Sequence, residues 1–428
     1  MYKKEPKTKY DVAIIGGGPA GLMAAGRAAE LGAKVILIEK NEIFGKKLSI
    51  TGGGRCNITN AEFDTHKFLE NFGDAAKFLH SPFSQFNVES TFKFFEARNL
   101  PLVTEARNRV FPKTQSATNV RDALVKYARK KGVQFLTGVS VSKFIKEDSN
   151  KEDSKIIAIE TSDGRIFANN FIVATGGLSA PSTGSTGDGL RMLQSIGHTI
   201  HKSNPDLVPL KTNQAWVHKL AGTTLSFMTL RFKQGGKTHI KKTGKILFTH
   251  FGISGPLVIN VSGQVRKLLE NGPTVLASID CFPDTDIAEL DRRIWRIFEQ
   301  HKNKQIKNVL SDLLPQKLSD AILHIMGEHY GNTPVHSVFK EERRKLAKIM
   351  KDLAFPIAGT MGLDRAIVAD GGVELTEVDF KTMSSKLHPN IYVIGDTLNI
   401  TRPSGGFSLQ LCWTTGYVAG TQVADKLK

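Results

Sequence analysis

The feature that most constrains this chain is a glycine turn set between two strands. Tyr10–Ile15 is a short apolar run, and GGGPAG follows it, so Gly16, Gly18 and Gly21 stand in G-x-G-x-x-G spacing. Residues 20–31 then read as a helix closed by Gly32, and Val35–Ile38 reads as a second strand ending at Glu39. Each glycine has its own reason. Gly16 permits a tight turn, Gly18 lets a pyrophosphate approach the backbone, and Gly21 lets helix and strand pack closely. With Pro19 and Ala20 at the helix start, free N–H groups face the phosphates. Glu39 lies 18 residues after Gly21, where a carboxylate accepts bonds from ribose hydroxyls, and Lys40 follows it. The competing reading, a purely structural glycine turn, needs neither the helix nor the acid. An acid rather than an arginine favours free ribose hydroxyls, hence FAD or NAD over NADP.

Three later segments separate FAD from NAD. Residues 171–177 read FIVATGG, a strand ending at Ala174, Thr175 and Gly176. Residues 391–397 read IYVIGDT and end at Gly395 and Asp396. Residues 403–410, PSGGFSLQ, open a C-terminal helix predicted over 408–426, with Gly405, Gly406, Phe407 and Ser408 at its start. In two-dinucleotide-binding flavoproteins, ATG and a late GD look like these two strand ends. The Asp there bonds the ribityl chain, and the helix start lies by the flavin's pyrimidine edge, where negative charge develops on reduction. An NAD-only enzyme has no use for this last third, so FAD is the expected cofactor. Only one G-x-G-x-x-G is found; GSTGDG at 184–189 has the wrong spacing, and no CxxxxC redox pair is present. Either a reductant such as NAD(P)H binds transiently without a second Rossmann site, or the substrate itself reduces the flavin.

Between Glu39 and residue 60 lies a second candidate stretch. Gly45, Lys46 and Lys47 follow the acid closely; the lysines either neutralise the pyrophosphate or are solvated. Gly52, Gly53 and Gly54 make a loop without side chains that can lie flat against a ring or a phosphate. Arg55, Cys56 and Asn57 then offer a cation, a thiol and an amide. Arg55 is a candidate for holding an acidic substrate or the reduced flavin's charge, against a loop-anchoring role. Cys56 has no partner cysteine nearby in sequence, so packing beside the flavin is preferred over a catalytic thiol. Further along, His250 is a candidate general acid or base, against a structural histidine. The remaining histidines lack ligand spacing, and no metal is expected.

Composition bounds the rest. At 428 residues two or three domains are expected. Hydrophobic residues are 40% and charged residues 23%, which excludes a disordered chain. The formal charge is +17, attractive to anions. Cys56, Cys281 and Cys412 are far apart and form no CxxC, which points to a reducing compartment. The basic start lacks the apolar stretch of a signal peptide. Apolar runs fall short of the roughly 20 residues a membrane helix needs. A cytoplasmic protein without membrane contact is expected.

Along the chain, residues 1–193 and 356–428 are read as one discontinuous FAD-binding domain. Residues 194–285 are strand-rich, with turn signals at Gly235–Gly236 and at Thr243–Gly244, and a helix predicted over 256–269. Residues 286–355 carry helical periodicity broken at Pro315 and at 331–334. Residues 149–154, SNKEDS, read as a polar turn between strands.

Longer stretches then carry a resemblance: FGKKLSITGGGRCNITN (44–60), VATGGLSAPSTGSTGDG (173–189), LFTHFGISGP (247–256) and GDTLNITRPSGGFSLQ (395–410). Together they resemble the BaiN/YhiN-like flavoprotein family, described as NAD(FAD)-utilising dehydrogenases or aminoacetone-oxidase-like FAD enzymes. The likeness spans about residues 9–426. It implies an α/β fold: a discontinuous Rossmann-type FAD-binding domain of the glutathione-reductase-like superfamily, with an inserted β-barrel bearing a small helical subdomain. It also implies that the GISGP turn, beside His250, faces the flavin across the substrate cavity. Val141 occupies the position whose backbone meets adenine in such flavoproteins; its packing in the sheet is the plainer account. Two departures stand out. Asp396 replaces a glutamate common in the family, which keeps the acid, and Phe407 replaces a tyrosine, which removes a hydroxyl.

The expected function is that of an FAD-dependent oxidoreductase passing hydride or electrons between flavin and a small organic substrate. The cofactor carries the redox chemistry and the protein supplies orientation, charge and water exclusion. Two rivals stand beside it. Residues 195–355 hold 24 Lys+Arg against 14 Asp+Glu, so the insertion carries ten of the surplus charges. That surplus raises an RNA-modifying flavoenzyme, although the basic stripes lack interleaved aromatics for base stacking. The other rival is a non-catalytic flavin redox sensor. Sequence leaves the oligomeric state open.

Overall fold

A computed structural model of the chain describes residues 9–148, 151, 154–202, 204–366 and 368–427. Most of the polar turn expected at 149–154 lies outside them. The chain forms two compact units, Met1–Asn204 with Ala369–Lys428, and Pro205–Val368.

The first unit is built on a parallel sheet. Strand β1 (Tyr10–Ile15) pairs in parallel with β2 (Val35–Ile38) on one side and with β3 (Gly164–Val173) on the other. Strand Gln134–Leu136 extends the sheet beyond β2, and β4 (Ile391–Val393) pairs in parallel with the second half of β3. A central parallel strand is covered on both faces, so its sequence reads as a continuous apolar run. The first half of β3 instead pairs antiparallel with Ile156–Thr161, which pairs with Val141–Lys146. One strand thus joins the Rossmann sheet to an antiparallel meander. Helix α1 (Pro19–Glu30) connects β1 to β2, and α2 (Phe407–Asp425) packs against it. Small residues set that approach: a Cβ on Gly416 would lie 2.5 Å from the Ala20 carbonyl oxygen, and one on Gly420 2.6 Å from that of Ala24. The N-terminal and C-terminal parts of the chain therefore share one core, which includes Ile14, Leu22, Phe171, Tyr392 and Trp413.

The boundaries of this unit sit further along the chain than the sequence suggested. Residues 194–204 stay with it, because Ile200–His201 pairs antiparallel with Gly372–Val373 and Glu374 N–H donates to the Thr199 carbonyl.

The second unit is an antiparallel seven-stranded sheet with helices. Strands Thr224–Gln234 and Lys237–Thr249 form its long hairpin, turning at Gly235–Gly236. The turn expected at Thr243–Gly244 is not there. Both residues lie inside the second strand, where Thr243 pairs with Thr229 and their hydroxyls bond at 2.7 Å. A Cβ on Gly244 would lie 3.1 Å from Leu257, so this glycine serves helix packing, not a turn. Residues 353–361 supply both edge strands of the sheet: Leu353–Pro356 pairs with Leu276–Asp280, and Gly359–Thr360 pairs with Leu210–Lys211. Helices Ile287–Gln300, Gln316–Met326 and Lys340–Lys351 share one apolar core with the sheet, through Phe232, Ile279, Leu290, Leu318 and Leu346. The strand-rich stretch from Pro205 and the helices of 286–355, expected as a barrel bearing a helical subdomain, share a common core. Among the described residues no helix is long and apolar enough to cross a membrane.

Candidate active site

The glycine turn forms between β1 and α1 as its spacing requires. Gly16 has φ +104°, a backbone state that only glycine adopts without strain. Its N–H donates to the Ile38 carbonyl at 2.8 Å, tying the turn to the end of β2. A Cβ on Gly21 would sit 1.9 Å from the Gly16 carbonyl oxygen, so close helix–strand packing needs glycine there. Above Gly18, by contrast, a Cβ would meet nothing within 4 Å. Pro19 is at the first turn of α1, Ala20 is buried behind it, and the helix start carries neither a side-chain cap nor an acid. Its N–H groups and dipole are therefore left for an anion.

Glu39 is buried and faces this turn. It accepts the Gly17 N–H at 2.8 Å and both the backbone and side-chain N–H of Asn41, at 2.8 and 2.6 Å. Lys40 is turned elsewhere: its Nζ donates to Thr186 and Asp188, both at 2.6 Å. Gly45 N–H donates to the Gly17 carbonyl, which anchors the following loop. Lys47 Nζ donates to Ser179 at 2.9 Å; burial pushes its pKa down, and the nearby Asp396 carboxylate pulls it back up. Ala174 N–H donates to the Ile15 carbonyl, so β3 ends beside the turn, with Thr175 and Gly176 following. The hydroxyls of Thr175 and Thr397 are buried with no hydrogen-bond partner among the described residues.

The loop at 52–57 leaves open space over Gly53 and Gly54, where added Cβ atoms would meet nothing within 4 Å. Arg55 is part-exposed and is engaged by its neighbours. Its guanidinium donates to Glu105 at 2.9 and 3.3 Å and to Gln115 at 2.9 Å, and it stacks over the Phe111 ring at 4.0 Å. Cys56 is fully buried, and burial pushes its thiol up to about 12. Asn57 accepts the Val110 N–H at 3.1 Å, which ties the loop to strand Arg109–Pro112. Val141 begins its strand at the far side of the meander, half-buried.

Gly395 and Asp396 form a short helical turn just after β4, and Gly405 and Gly406 precede α2. A Cβ on Gly406 would lie 2.2 Å from the Thr59 carbonyl carbon, so this helix start lies directly on strand Thr59–Asn60. Phe407 is buried against Phe68, with ring centroids 4.8 Å apart. Its side chain serves the core and lies beside Gly405, where an added Cβ would meet the ring at 3.5 Å. Ser408 accepts from Arg402 Nε at 3.2 Å.

Several members of this constellation have no local sequence signal. Gln410 accepts from Thr59 at 2.7 Å and from Thr91 at 2.9 Å, and donates to Thr414 at 3.1 Å. Arg402 is almost wholly buried and is bonded to Asp396, the Ile400 carbonyl and Ser408. A motif search would pass over both. The only available hint was that they flank the PSGGFS stretch.

His250 belongs to the second unit. It is exposed, with its ring edge-on to Phe251 at 4.9 Å. Among the described residues no group of three His, Cys, Asp or Glu is placed to hold a metal.

The first unit thus presents an uncapped helix start, open space over Gly18, Gly53 and Gly54, and two orphaned threonine hydroxyls. Their donors and acceptors fit a dinucleotide: N–H groups for phosphates, a carboxylate for ribose and a second carboxylate for a polyol chain.

Comparison with known proteins agrees with this geometry. The sequence pattern of the HI0933-like protein Rossmann domain matches residues 10–422. The 3-dehydro-bile acid delta(4,6)-reductase of Clostridium scindens is 30% identical over 422 residues, 97% of this chain and 99% of that protein. The ribosomal RNA dihydrouridine synthase of Escherichia coli is 25% identical over 415 residues, 96% of each chain. Among solved structures, 3-ketosteroid delta1-dehydrogenase from Sterolibacterium denitrificans shares the fold with a TM-score of 0.55. It is 13% identical, and the match covers 98% of this chain and 100% of that one.

Proposed function

For a chain that belongs to the HI0933-like Rossmann-domain family, we propose FAD-dependent reduction of a carbon–carbon double bond conjugated to a carbonyl, in a small organic substrate. The chain is an FAD-dependent oxidoreductase; the double bond and the substrate class are the proposal. The observation that carries it is the pairing of a dinucleotide cradle at Gly16–Gly21 with a second glycine-lined helix start at Gly405–Gly406. The names of the full-length relatives support the chemistry. A delta(4,6)-reductase and a dihydrouridine synthase each saturate a double bond conjugated to a carbonyl.

When bound, FAD supplies the hydride. In this reading Gly18, Pro19, Ala20 and Gly21 receive the pyrophosphate, Glu39 the ribose, and Val141 the adenine through its backbone. Thr175, Gly176, Asp396 and the start of α2 hold the ribityl–flavin end. Gly53 and Gly54 lie against the ring, and Arg55 and Asn57 fix the loop that carries them. His250 is the proton donor, through its exposed imidazole. NAD(P)H is the transient reductant, binding without a Rossmann site of its own. The second unit is read as the barrel of this glutathione-reductase-like arrangement, supported by one short segment, residues 353–361, supplying both edge strands of its sheet. The three cysteines are free and buried, which supports the reducing, cytoplasmic placement.

The test is anaerobic stopped-flow reduction of bound FAD by NADH and NADPH, followed by reoxidation with a panel of α,β-unsaturated ketones. Bleaching by a nicotinamide and recovery with an enone are expected. Protein that cannot be loaded with FAD, or reduced flavin that no enone reoxidises, would sink the proposal.

One observation favours RNA as the substrate instead. Residues 195–355 carry ten of the seventeen surplus positive charges, an excess that attracts a polyanion. Steeply salt-dependent RNA binding, lost on charge reversal of the exposed Lys241, Lys242 and Lys245, would support that reading. Steady turnover of NAD(P)H with any acceptor would exclude a passive redox sensor.

A further inference from the structure

Arg402 poses an electrostatic problem that the cofactor assignment leaves unsolved. Its side chain is 1% exposed, and its guanidinium is bonded to Asp396, the Ile400 carbonyl and Ser408. Asp396 is also the carboxylate that raises the pKa of Lys47, whereas Arg402 lowers it. Arg402 is ion-paired to that carboxylate, and Lys47, whose ammonium donates to Ser179, lies near enough to feel both charges. Close by begins α2, a 19-residue helix with no acid in its first turn and no side-chain cap. Its dipole adds positive potential at the same place. Cys412 adds no compensating charge, because burial holds its thiol protonated. A buried cluster with a positive surplus is costly unless an anion completes it. Arginine suits the place because its fork donates from three separate nitrogens, Nε and both terminal ones, to three acceptors.

Two anionic parts of the same cofactor are possible occupants. The pyrophosphate already has a separate receiver, the uncapped start of α1 above Gly18. The other is the flavin's pyrimidine end, which gains negative charge when the flavin accepts a hydride. We propose that the Lys47–Asp396–Arg402 cluster is the charge receiver for the reduced flavin, with Arg402 as the positioning residue that holds Asp396 and fixes the sign of the cluster. It thereby stabilises reduced over oxidised FAD and sets the potential at which the enzyme accepts hydride. This inference rests on the placing of the flavin end at Gly395–Asp396 and Gly405–Gly406.

The experiment uses the FAD-loaded full chain. Arg402→Gln, Arg402→Lys and Lys47→Gln are compared with the parent for affinity toward oxidised FAD and for midpoint potential against indicator dyes. Arg402→Gln is expected to weaken the binding of reduced FAD at least tenfold more than that of oxidised FAD. That tenfold difference is a fall of about 30 mV in the two-electron potential. Lys47→Gln should shift the potential in the same direction, and Arg402→Lys should recover part of the shift because the charge is kept. Equal weakening of both redox forms, or an unchanged potential, would overturn the proposal. If Arg402→Gln cannot be loaded, Lys47→Gln decides by the same criterion. Asp396→Ala checks the underlying placement separately. If it leaves FAD affinity intact, the flavin-end assignment fails; if it weakens FAD while Arg402→Gln and Lys47→Gln keep the parent potential, only the charge-receiver role fails.

Discussion

The Gly17 N–H donates to Glu39 Oε2 at 2.8 Å, so the glycine turn and the acid that ends β2 form one rigid unit. Glu39 is also fixed by Asn41 through two bonds to its other oxygen. The carboxylate is thus oriented before any ribose arrives, which lowers the ordering cost of binding.

Replacing Glu39 by Ala removes both the ribose acceptor and the brace of the turn. A hydrogen bond to a charged group contributes about 1.5–3 kcal/mol, so FAD affinity should fall by roughly 10- to 150-fold. Titration of apoprotein by flavin fluorescence checks this. An unchanged affinity would remove Glu39 from the site.

Gly21→Ala and Gly416→Ala test the packing of α1 from opposite sides. The new Cβ would lie 1.9 Å from the Gly16 carbonyl oxygen in the first case and 2.5 Å from that of Ala20 in the second. Both contacts are with backbone, so α1 must shift. Overpacking of this kind costs about 1–3 kcal/mol. Both variants should unfold at lower denaturant, and Gly21→Ala should also load FAD poorly because it moves the phosphate-facing helix start.

Cys56 should be chemically silent. Its thiol is buried and pushed up to about 12, so almost no thiolate exists at neutral pH. Cys56→Ala should retain turnover within a few-fold, and iodoacetamide should label Cys56 only at the rate of unfolding. Rapid labelling of native protein, with parallel loss of activity, would contradict this burial.

His198 gives the first unit a stability loss on mild acidification. Burial lowers its pKa, and the bonded Glu377 only partly offsets that; Ser385 bonds its other nitrogen at 2.9 Å. The unfolded chain protonates this imidazole near pH 6.5 while the folded chain does not. The unfolded state then binds more protons, so stability falls as pH drops below about 6.5, down to the lowered folded value. His198→Gln should flatten the denaturant midpoint between pH 7 and pH 5.5. Glu374 and Glu377, both held below the usual carboxylate range, add a separate loss only below about pH 4.5.

What the sequence revealed and what it hid divide along a physical line. Gly16, Gly18, Gly21 and Glu39 were legible because a backbone turn and a helix start are local, and local geometry dictates residue type. Thr59 and Gln410 were not, since they meet across 351 positions and any polar pair of suitable size would serve. Thr243–Gly244 misled for a related reason. A Thr-Gly pair carries turn propensity, but the demand for close helix packing against Leu257 overrode it. Arg402 was invisible as a buried cation because arginine is ordinarily a surface residue. Only the surrounding acceptors reveal that it is held inside.

The last prediction concerns Arg55, whose position argues for support rather than direct chemistry. Its guanidinium spends three hydrogen bonds on Glu105 and Gln115 and stacks on Phe111. A cation so engaged has much of its charge already answered by Glu105. Its function is then to brace the 52–57 loop against strand Leu102–Glu105, and Glu105 should matter as much as Arg55 does. The pair is only part-buried, so its coupling should be about 0.5–1 kcal/mol. Arg55→Ala, Glu105→Ala and the double variant are compared by denaturant unfolding and by turnover. If Arg55 braces the loop, the double variant is no worse than either single one in stability or in kcat. If Arg55 instead receives an anion, Arg55→Ala loses kcat while Glu105→Ala, which frees the guanidinium, keeps or raises it.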